Sequence, residues 1–253
     1  MNRTGLIIAL VIAAVTGLAF GFFPQLDLMI SAPFYAMVSG DNHFAARIYP
    51  PLMRARDAGL WAGTLLVAPA VAALFFKLVL PTRKLLISGR AILFLITTIA
   101  LAPGLVANVV LKDHWGRSRP IDVTQFGGTE RFVAWWDPRG ECPNNCAFVS
   151  GDVAGAFWTI APAALAPPQW RALAYGGALA LGTAMAAMRV MAGGHFLSDT
   201  IFAGVFTFLI IWLMHGLIYR WPRTRLTDAG VERAIERVAM PGYRAIRSPF
   251  GKS

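Results

Sequence analysis

Two long apolar runs of this chain are joined by the stretch Met188-Arg189-Val190-Met191-Ala192-Gly193-Gly194-His195-Phe196-Leu197-Ser198-Asp199. Ionisable side chains at the edge of a hydrocarbon layer are energetically costly, so by default they mark function. His195 and Asp199 are four residues apart, which would place them on one face of a helix. A carboxylate bonded to one imidazole nitrogen leaves the other nitrogen free to attack a substrate or to accept a proton. The stretch therefore predicts a helical membrane protein with a reactive histidine between two membrane segments.

The composition of the whole chain agrees with a membrane location. Of the 253 residues, 57% are hydrophobic and only 14% are charged, whereas a soluble domain carries about a quarter charged residues. The apolar residues form blocks of about 20, the length of a helix that crosses a bilayer. We therefore expect an all-α polytopic fold with about six transmembrane helices. The predicted spans are Thr4–Phe23, Gly59–Leu80, Ala91–Leu111, Val153–Ala166, Ala172–Val190 and Thr200–Tyr219.

The distribution of charge predicts how these spans are oriented. If the amino terminus is cytoplasmic, 14 of the 23 lysines and arginines, up to Lys252 in the tail, lie inside with only 3 of the 13 acidic residues. Orientation follows such a bias of lysine and arginine, and the short basic connection Pro81–Arg90 contributes most to it. The net charge of +10 therefore indicates topology and contact with anionic membrane lipids, and it argues against a nucleic-acid partner.

The chain divides into one membrane domain, residues 1–225, and a basic cytoplasmic tail, residues 226–253. In the tail, Thr227-Asp228 could cap a short helix with Val231, Ile235 and Val238 on one stripe, stopped by Pro241-Gly242. Such a helix would lie on the inner leaflet, and a solvated basic tail is the alternative.

The two cysteines, Cys142 and Cys146, lie in one predicted outer loop. This compartment is oxidising, so a disulfide is favoured. A metal-binding pair is the alternative, although no third and fourth ligand lies nearby in the sequence.

Three polar segments converge on the same face of the membrane in this topology. They are Lys112–Pro120 after the third span, Phe148–Asp152 before the fourth, and the opening stretch between the fifth and sixth. This convergence predicts one site built from three parts of the chain.

The side chains of these segments suit a phosphate group. Lys112, Arg119 and Arg189 bring three fixed positive charges, which bind phosphate oxygens by charge-assisted hydrogen bonds. Ser150-Gly151 at a helix start offers backbone N–H groups to an anion. Together with His195, this inventory predicts phosphoryl transfer through a covalent phosphohistidine. No carboxylate cluster suggests a metal, and we expect no cofactor.

These motifs resemble those of the type 2 phosphatidic acid phosphatase (PAP2) superfamily of membrane phosphatases. The pattern is Lys-x6-Arg-Pro, then Ser-Gly-x, then Arg-x5-His-x3-Asp, and the six spans extend the likeness to most of the chain. The resemblance implies a metal-independent enzyme in which His195 is the nucleophile and Asp199 its orienting partner. It also implies a phosphate-binding set, namely Lys112, Arg119, Ser150, Gly151 and Arg189.

Two positions depart from the family pattern. Asp152 stands where the family has a histidine that protonates the leaving group, and Met188 stands where it has a serine. The source of the proton is open between a protonated Asp152, a substrate whose leaving group needs little help, and His114.

The sequence therefore predicts a lipid phosphatase of the bacterial inner membrane with its active site facing the periplasm. The Cys-Pro-Asn-Asn-Cys loop and the aromatic outer loop resemble those of bacterial branches that act on lipid A. Phosphatidylglycerol phosphate and undecaprenyl diphosphate are alternative substrates. A phosphotransferase that uses the same intermediate, and a non-catalytic lipid-phosphate binder or transporter, are alternative functions.

Overall fold

The computed structural model describes residues 1–38 and 41–247. Lys252 and the end of the predicted tail domain lie outside these ranges. The described chain is a helical bundle with one small hairpin at the end that carries the predicted site. The five long helices are α1 (Arg3–Phe22), α3 (Pro50–Val79), α4 (Gly89–His114), α7 (Pro168–Met191) and α8 (Leu197–Arg220). The shorter elements are α2 (Gln25–Ser31), β1 (Tyr35–Val38), β2 (Asp41–Phe44), α5 (Gly151–Phe157), α6 (Ile160–Leu165) and α9 (Asp228–Arg247).

Each of the five long helices is apolar and long enough to cross a membrane. Large apolar side chains on their outer faces are exposed, among them Val15, Leu65, Phe75 and Leu173. In water such a surface would be an aggregation hazard, whereas in a bilayer it contacts lipid tails. The all-α polytopic class predicted from the sequence is therefore confirmed.

The fourth predicted span, Val153–Ala166, differs from a single transmembrane helix. It consists of α5 and α6, separated at Trp158 and Thr159. At about 1.5 Å per residue the two helices together are shorter than the hydrocarbon core. This length suffices because the segment is buried inside the bundle, where Trp158 Nε1 donates to Thr98 Oγ1 at 2.9 Å.

The bundle core has two parts. One lies in the middle of the membrane region around Phe94, Trp158 and Ile211. The other lies directly beneath the predicted site around Phe148, Met185 and Phe202, and it is extended by Trp115 and Trp135. The second cluster gives the site segments a rigid apolar floor.

One end of the bundle collects the residues that the sequence assigned to the cytoplasm. Arg220 Nη1 donates to the Met1 carbonyl at 3.0 Å, and the Arg90 guanidinium lies 5.0 Å from the centre of the Tyr219 ring. Arg171 lies close enough to act electrostatically on the amino terminus. The predicted site segments lie at the opposite end. The structure thus groups the two sets at opposite ends of the bundle.

The tail helix α9 docks on the protein. Buried Lys77 donates to Glu232 at 2.8 Å and to Glu236 at 2.6 Å, and Asp228 pairs with Arg90 at 3.0 Å. These contacts hold α9 against the basic ends of α3 and α4.

The predicted end of the tail helix at Pro241-Gly242 was wrong. The helix continues through Pro241 to Arg247, since one proline removes a single backbone hydrogen bond and need not end a helix. Of the stripe predicted from the sequence, Val231 is buried against the protein, whereas Val238 is 76% exposed. The ion pairs with α3 and α4 set the rotation of the helix.

Candidate active site

His195 lies in the short connection between α7 and α8 and is buried. Its Nδ1 lies 2.7 Å from the carbonyl oxygen of Ala147. A carbonyl accepts and never donates, so Nδ1 carries the proton of the neutral ring. Nε2 then holds the free lone pair, which is the state that a nucleophilic imidazole requires.

The surroundings of His195 keep its ring neutral. Burial, together with the positive charges of Arg189 and Arg119, holds the pKa of His195 well below its usual value. The hydrogen bond to Ala147 acts in the opposite direction but is outweighed. The histidine is therefore unprotonated over the physiological pH range.

Within the described part of the chain Asp199 forms no hydrogen bond with His195, contrary to the pairing that the sequence predicted. Its Oδ2 accepts from the backbone N–H of Phe196 at 2.8 Å, and its Oδ1 pairs with Arg117. An i, i+4 contact needs both residues on one helix, but α8 begins at Leu197, after His195. The Ala147 carbonyl orients the ring instead, and Asp199 fixes the backbone beside it.

A buried ionic network holds Asp199 in place. The guanidinium of Arg117 is fully buried and contacts Asp199, Asp27 at 2.8 Å, Ser198 Oγ at 2.8 Å and the Val133 carbonyl at 3.1 Å. Asp27 also accepts from the N–H of Ser198 at 3.0 Å and from its hydroxyl at 2.6 Å. The network joins α2, the outer loop and the start of α8, and thereby fixes the segment that carries the histidine.

Gly193 and Gly194 precede His195 and let the side chains of Phe44 and Arg189 approach the backbone closely. Gly193 has φ +62°, and a Cβ there would overlap the ring of Phe44. A Cβ on Gly194 would overlap the guanidinium of Arg189. Gly194 therefore allows Arg189 to lie against the backbone next to the reactive ring, and Gly193 leaves room for Phe44.

The predicted phosphate-binding residues come together around this point. Ser150, just before α5, is fully buried, and its Oγ has no hydrogen-bond partner among the described residues. Gly151 packs against the side chain of Asn108. A buried hydroxyl without a partner is rare in folded proteins, and it is available to bind a ligand.

The basic residues of the site are close to one another. Lys112, at the end of α4, is partly buried and lies within range of the charges of Arg119 and Arg189. Arg119 donates from Nε to the Asn145 carbonyl at 3.0 Å, which fixes its fork. Like charges this close favour occupation by an anion.

Asp152 faces the same site but is held by cations. Its Oδ2 lies 2.8 Å from Arg56 Nε and 3.3 Å from Arg189 Nε. The first contact is also a hydrogen bond, whereas the second lacks hydrogen-bond geometry and leaves the Arg189 Nε–H available. Two guanidinium groups stabilise the ionised carboxylate. An ionised carboxylate has no proton to give, so Asp152 is not in the state required of the proton donor that the sequence suggested.

His114, the other suggested proton donor, is bonded to its own helix. It is exposed at the end of α4, and its Nδ1 lies 3.0 Å and 3.1 Å from the carbonyl oxygens of Val109 and Val110. These are acceptors of its own helix.

A cavity of about 250 Å³ opens beside the site. Four arginines line it together with Met188 and other uncharged residues: Arg47, Arg56, Arg119 and Arg189. Arg119 and Arg189 were predicted from the sequence, whereas Arg47 and Arg56, which belong to no motif, were not. The signal was present as an arginine-rich segment just before the second long apolar run.

The two cysteines form a disulfide, with Cα atoms 5.7 Å apart. Cys146 N donates to the Lys112 carbonyl at 2.8 Å, and Ala147 N donates to the Arg117 carbonyl at 2.8 Å. The loop thus fixes the position of Ala147, whose own carbonyl orients the histidine.

Loss of this disulfide should weaken catalysis more than binding. We expect the double variant Cys142→Ser/Cys146→Ser to lose about tenfold in kcat, equal to about 1.4 kcal/mol, because the Ala147 carbonyl loses its fixed position. Phosphate release by purified protein measures this, and added reductant should have no further effect on the variant. Full turnover by the variant would show that the disulfide does not position the site.

Within the described ranges, no group of three or more His, Cys, Asp or Glu side chains could hold a metal ion. The described site therefore consists of one histidine, one serine, one aspartate, one lysine and four arginines, with the arginines lining the adjoining cavity.

The sequence of the chain is similar to those of known proteins. The family model of the PAP2 superfamily matches residues 91–224. The chain is 32% identical over 233 residues to the lipid A 4'-phosphatase of Francisella tularensis subsp. novicida (strain U112), covering 87% of this chain and 98% of that protein. It is 39% identical over 104 residues to the lipid A 4'-phosphatase of Rhizobium leguminosarum, covering 41% of this chain and 45% of that protein. No solved structure matches the chain.

Proposed function

The chain belongs to the PAP2 superfamily and is a membrane phosphatase, and from that premise we propose that it removes a phosphate from lipid A or a closely related phosphorylated glycolipid by way of a phosphohistidine. The names of the relatives support the lipid A type of substrate. One observation carries the mechanism: His195 is buried and neutral, its Nδ1 is bonded to a carbonyl, and its Nε2, near the basic side chains, forms no hydrogen bond within residues 1–38 and 41–247.

The proposed reaction has two steps. The lone pair of His195 Nε2 forms a bond to phosphorus while the bond from phosphorus to the lipid oxygen breaks, and that oxygen takes a proton from water. In the second step a water oxygen attacks phosphorus, the nitrogen–phosphorus bond breaks, and its electron pair returns to Nε2. The proton that this water loses neutralises the hydroxide left by the first step. Lys112, Arg119 and Arg189 stabilise the charge on the phosphoryl oxygens in both steps.

Asp152 and His114 have no proton-donating role in this proposal. The carboxylate of Asp152 is paired with two arginines, and His114 faces the carbonyls of its own helix. The basic cluster instead lowers the cost of the negative charge that develops on the leaving oxygen.

A second cavity supports a substrate with lipid tails. It has a volume of about 530 Å³, lies between α1, α7 and α8 in the membrane region, and is lined mainly by apolar side chains. Leu197 and Thr200 line it close to His195. Acyl chains could lie in this cavity while the headgroup meets the basic cluster.

We further propose that the protein resides in the bacterial inner membrane with the site facing the periplasm. The site lies at the end of the bundle opposite the lysine- and arginine-rich end, and a bias of these residues marks the cytoplasmic side. The disulfide at the site end is consistent with an oxidising compartment.

The function is tested by phosphate release from a panel of lipids with detergent-purified protein. The panel contains lipid A, phosphatidylglycerol phosphate, undecaprenyl diphosphate and phosphatidic acid. Preferential release from lipid A supports the proposal, and preferential release from another lipid reassigns the substrate. Binding without release would point to a lipid-phosphate binder or transporter, and transfer to a second lipid would point to a phosphotransferase.

The low pKa of His195 predicts an acid-tolerant enzyme. The nucleophile must be unprotonated, so activity is present above the pKa of His195 and is lost as the pH falls through it. Because that pKa lies well below 6.5, the histidine-dependent acid limb of kcat/KM should also lie below pH 6.5.

Removal of a neighbouring charge should move this limb. In Arg189→Gln the loss of a positive charge raises the pKa of His195, so the limb should rise by about one pH unit. Profiles of kcat/KM for parent and variant with one substrate measure the change, because ionisation of the substrate phosphate is common to both. An unmoved limb would show that His195 does not set it.

A further inference from the structure

We propose that Arg47 and Arg56 form a second anion subsite beside the reactive histidine, which binds a further phosphate or carboxylate on the headgroup of the same lipid. The inference rests on the proposed function, because it names the kind of headgroup that the same site accepts. It concerns residues outside the three sequence motifs.

The side chains that line the cavity of about 250 Å³ carry positive charge. Four arginines from different parts of the chain line it, and no acidic residue is among its lining residues. Arg47 follows the hairpin, Arg56 lies on α3, Arg119 on the outer loop and Arg189 at the end of α7. A concave wall of one charge sign concentrates the opposite charge.

The arginine side chains of the cavity outnumber the carboxylates that pair with them. Arg56 and Arg189 share the carboxylate of Asp152. Arg47 forms no ion pair within residues 1–38 and 41–247, while its charge acts on both Arg119 and Arg189. Arg56 also pairs with Asp57 at 3.1 Å, so the four guanidinium groups have two carboxylate partners between them, and further anions would relieve their mutual repulsion.

The four arginines of the cavity fall into two pairs according to their place in the chain. Arg119 and Arg189 belong with Lys112 around His195, where the cleavable phosphate must lie. Arg47 and Arg56 line the same cavity but belong to none of the motif segments. Arginine forks bind both phosphate and carboxylate groups by paired hydrogen bonds. The second pair is therefore placed for a second anionic group.

This subsite also gives Asp152 a role. Its family counterpart is a histidine, which could not pair with a guanidinium as a carboxylate does. Asp152 accepts from Arg56 Nε at 2.8 Å and so holds an arginine of α3 against the site. We assign Asp152 as a positioning residue for Arg56 and Arg189.

The test compares two lipids that carry the same cleavable phosphate. One is doubly phosphorylated lipid A, and the other is lipid A from which the second phosphate has been removed. Binding is measured in the His195→Ala background, where no turnover occurs, and turnover is measured separately with the unsubstituted protein. If the unsubstituted protein hydrolyses neither lipid, the proposed function fails, while the binding measurement still decides on the subsite.

We expect the doubly phosphorylated lipid to bind more tightly, and Arg47→Gln to reduce that preference about tenfold. Arg54→Gln is the matched control: Arg54 is exposed near the start of the same helix as Arg56 and is not a lining residue of the cavity. The preference should survive in this control. Equal loss of both lipids in Arg47→Gln, or an unchanged ratio, overturns the subsite.

Inorganic phosphate distinguishes a headgroup subsite from one for the released product. Its binding alone should be weakened much less by Arg47→Gln than binding of the doubly phosphorylated lipid. Equal weakening would overturn the assignment to a headgroup.

Asp152→Asn tests the positioning role. It should reduce the same preference and should leave the shape of the pH profile of kcat unchanged. A proton donor would instead lower kcat on both lipids and remove a basic limb from the profile, which would contradict the assignment.

Discussion

Replacement of His195 by alanine should reduce phosphate release by about 10⁴-fold or more, the scale on which enzymes lose turnover when a covalent nucleophile is removed. The loss corresponds to about 5 kcal/mol or more of transition-state stabilisation. The basic residues remain in the variant, so substrate should still bind. We therefore expect kcat to fall while the affinity for lipid changes little.

His215→Gln is the control for this substitution. His215 lies on α8, the helix that follows His195, at the opposite end of the bundle, where the centres of its ring and the Tyr219 ring are 5.2 Å apart. It should keep normal turnover, and the thermal unfolding midpoints of both variants in detergent show whether the fold is intact. Retention of more than about a hundredth of the parent kcat by His195→Ala would rule out a nucleophilic histidine.

Substitution of Arg117 should be the most damaging change away from the reacting atoms. Arg117→Gln leaves the carboxylates of Asp27 and Asp199 buried without their cation. Removal of one partner from a buried ion pair costs about 3–5 kcal/mol. We expect a lowered midpoint of thermal unfolding together with a fall in kcat, because the start of α8 is no longer fixed beside His195.

A double substitution separates charge from packing. Asp27→Asn alone leaves Arg117 paired with Asp199, so its effect should be smaller. Adding Asp27→Asn to Arg117→Gln removes one of the two unpaired carboxylates and should recover part of the stability. Arg139→Gln, which breaks an exposed pair with Asp137 in the same loop, should leave unfolding unchanged. Additive losses in the double variant would contradict the network.

Much of the site followed from the sequence because its parts depend on chain topology. The apolar runs place Lys112, Ser150 and His195 at the same end of the bundle whatever the details of packing. The spacing of basic residues around a histidine then indicates phosphate chemistry.

The partners of these residues were not predictable in the same way. The ring of His195 is oriented by a backbone carbonyl, that of Ala147, and a carbonyl leaves no mark in a sequence. Asp199 was assigned to His195 from an i, i+4 spacing, but the helix begins between them. Its true partner, Arg117, comes from a segment 82 residues away.

The fourth span shows a limit of composition. Val153–Ala166 has the apolarity of a membrane helix but not the length, and the structure breaks it at Trp158. The break is tolerated because the segment is buried within the bundle. Neighbouring helices take the place of lipid around it, and Thr98 accepts the hydrogen bond of the Trp158 indole N–H. Arg56 likewise lies in the site because it pairs with Asp152, which is 96 residues away in the sequence. No local sequence pattern predicts such a pairing.

The central claim is that His195 accepts the phosphoryl group, and rapid quenching tests it most directly. The purified protein is mixed with lipid A labelled in its phosphates with ³²P and denatured in alkali within a single turnover, which preserves phosphohistidine. Peptide mapping should then locate the label on His195, with the labelled protein forming and decaying as fast as turnover, and with no label in His195→Ala. Label on another residue, or full turnover with no labelled protein at any time, would contradict the account.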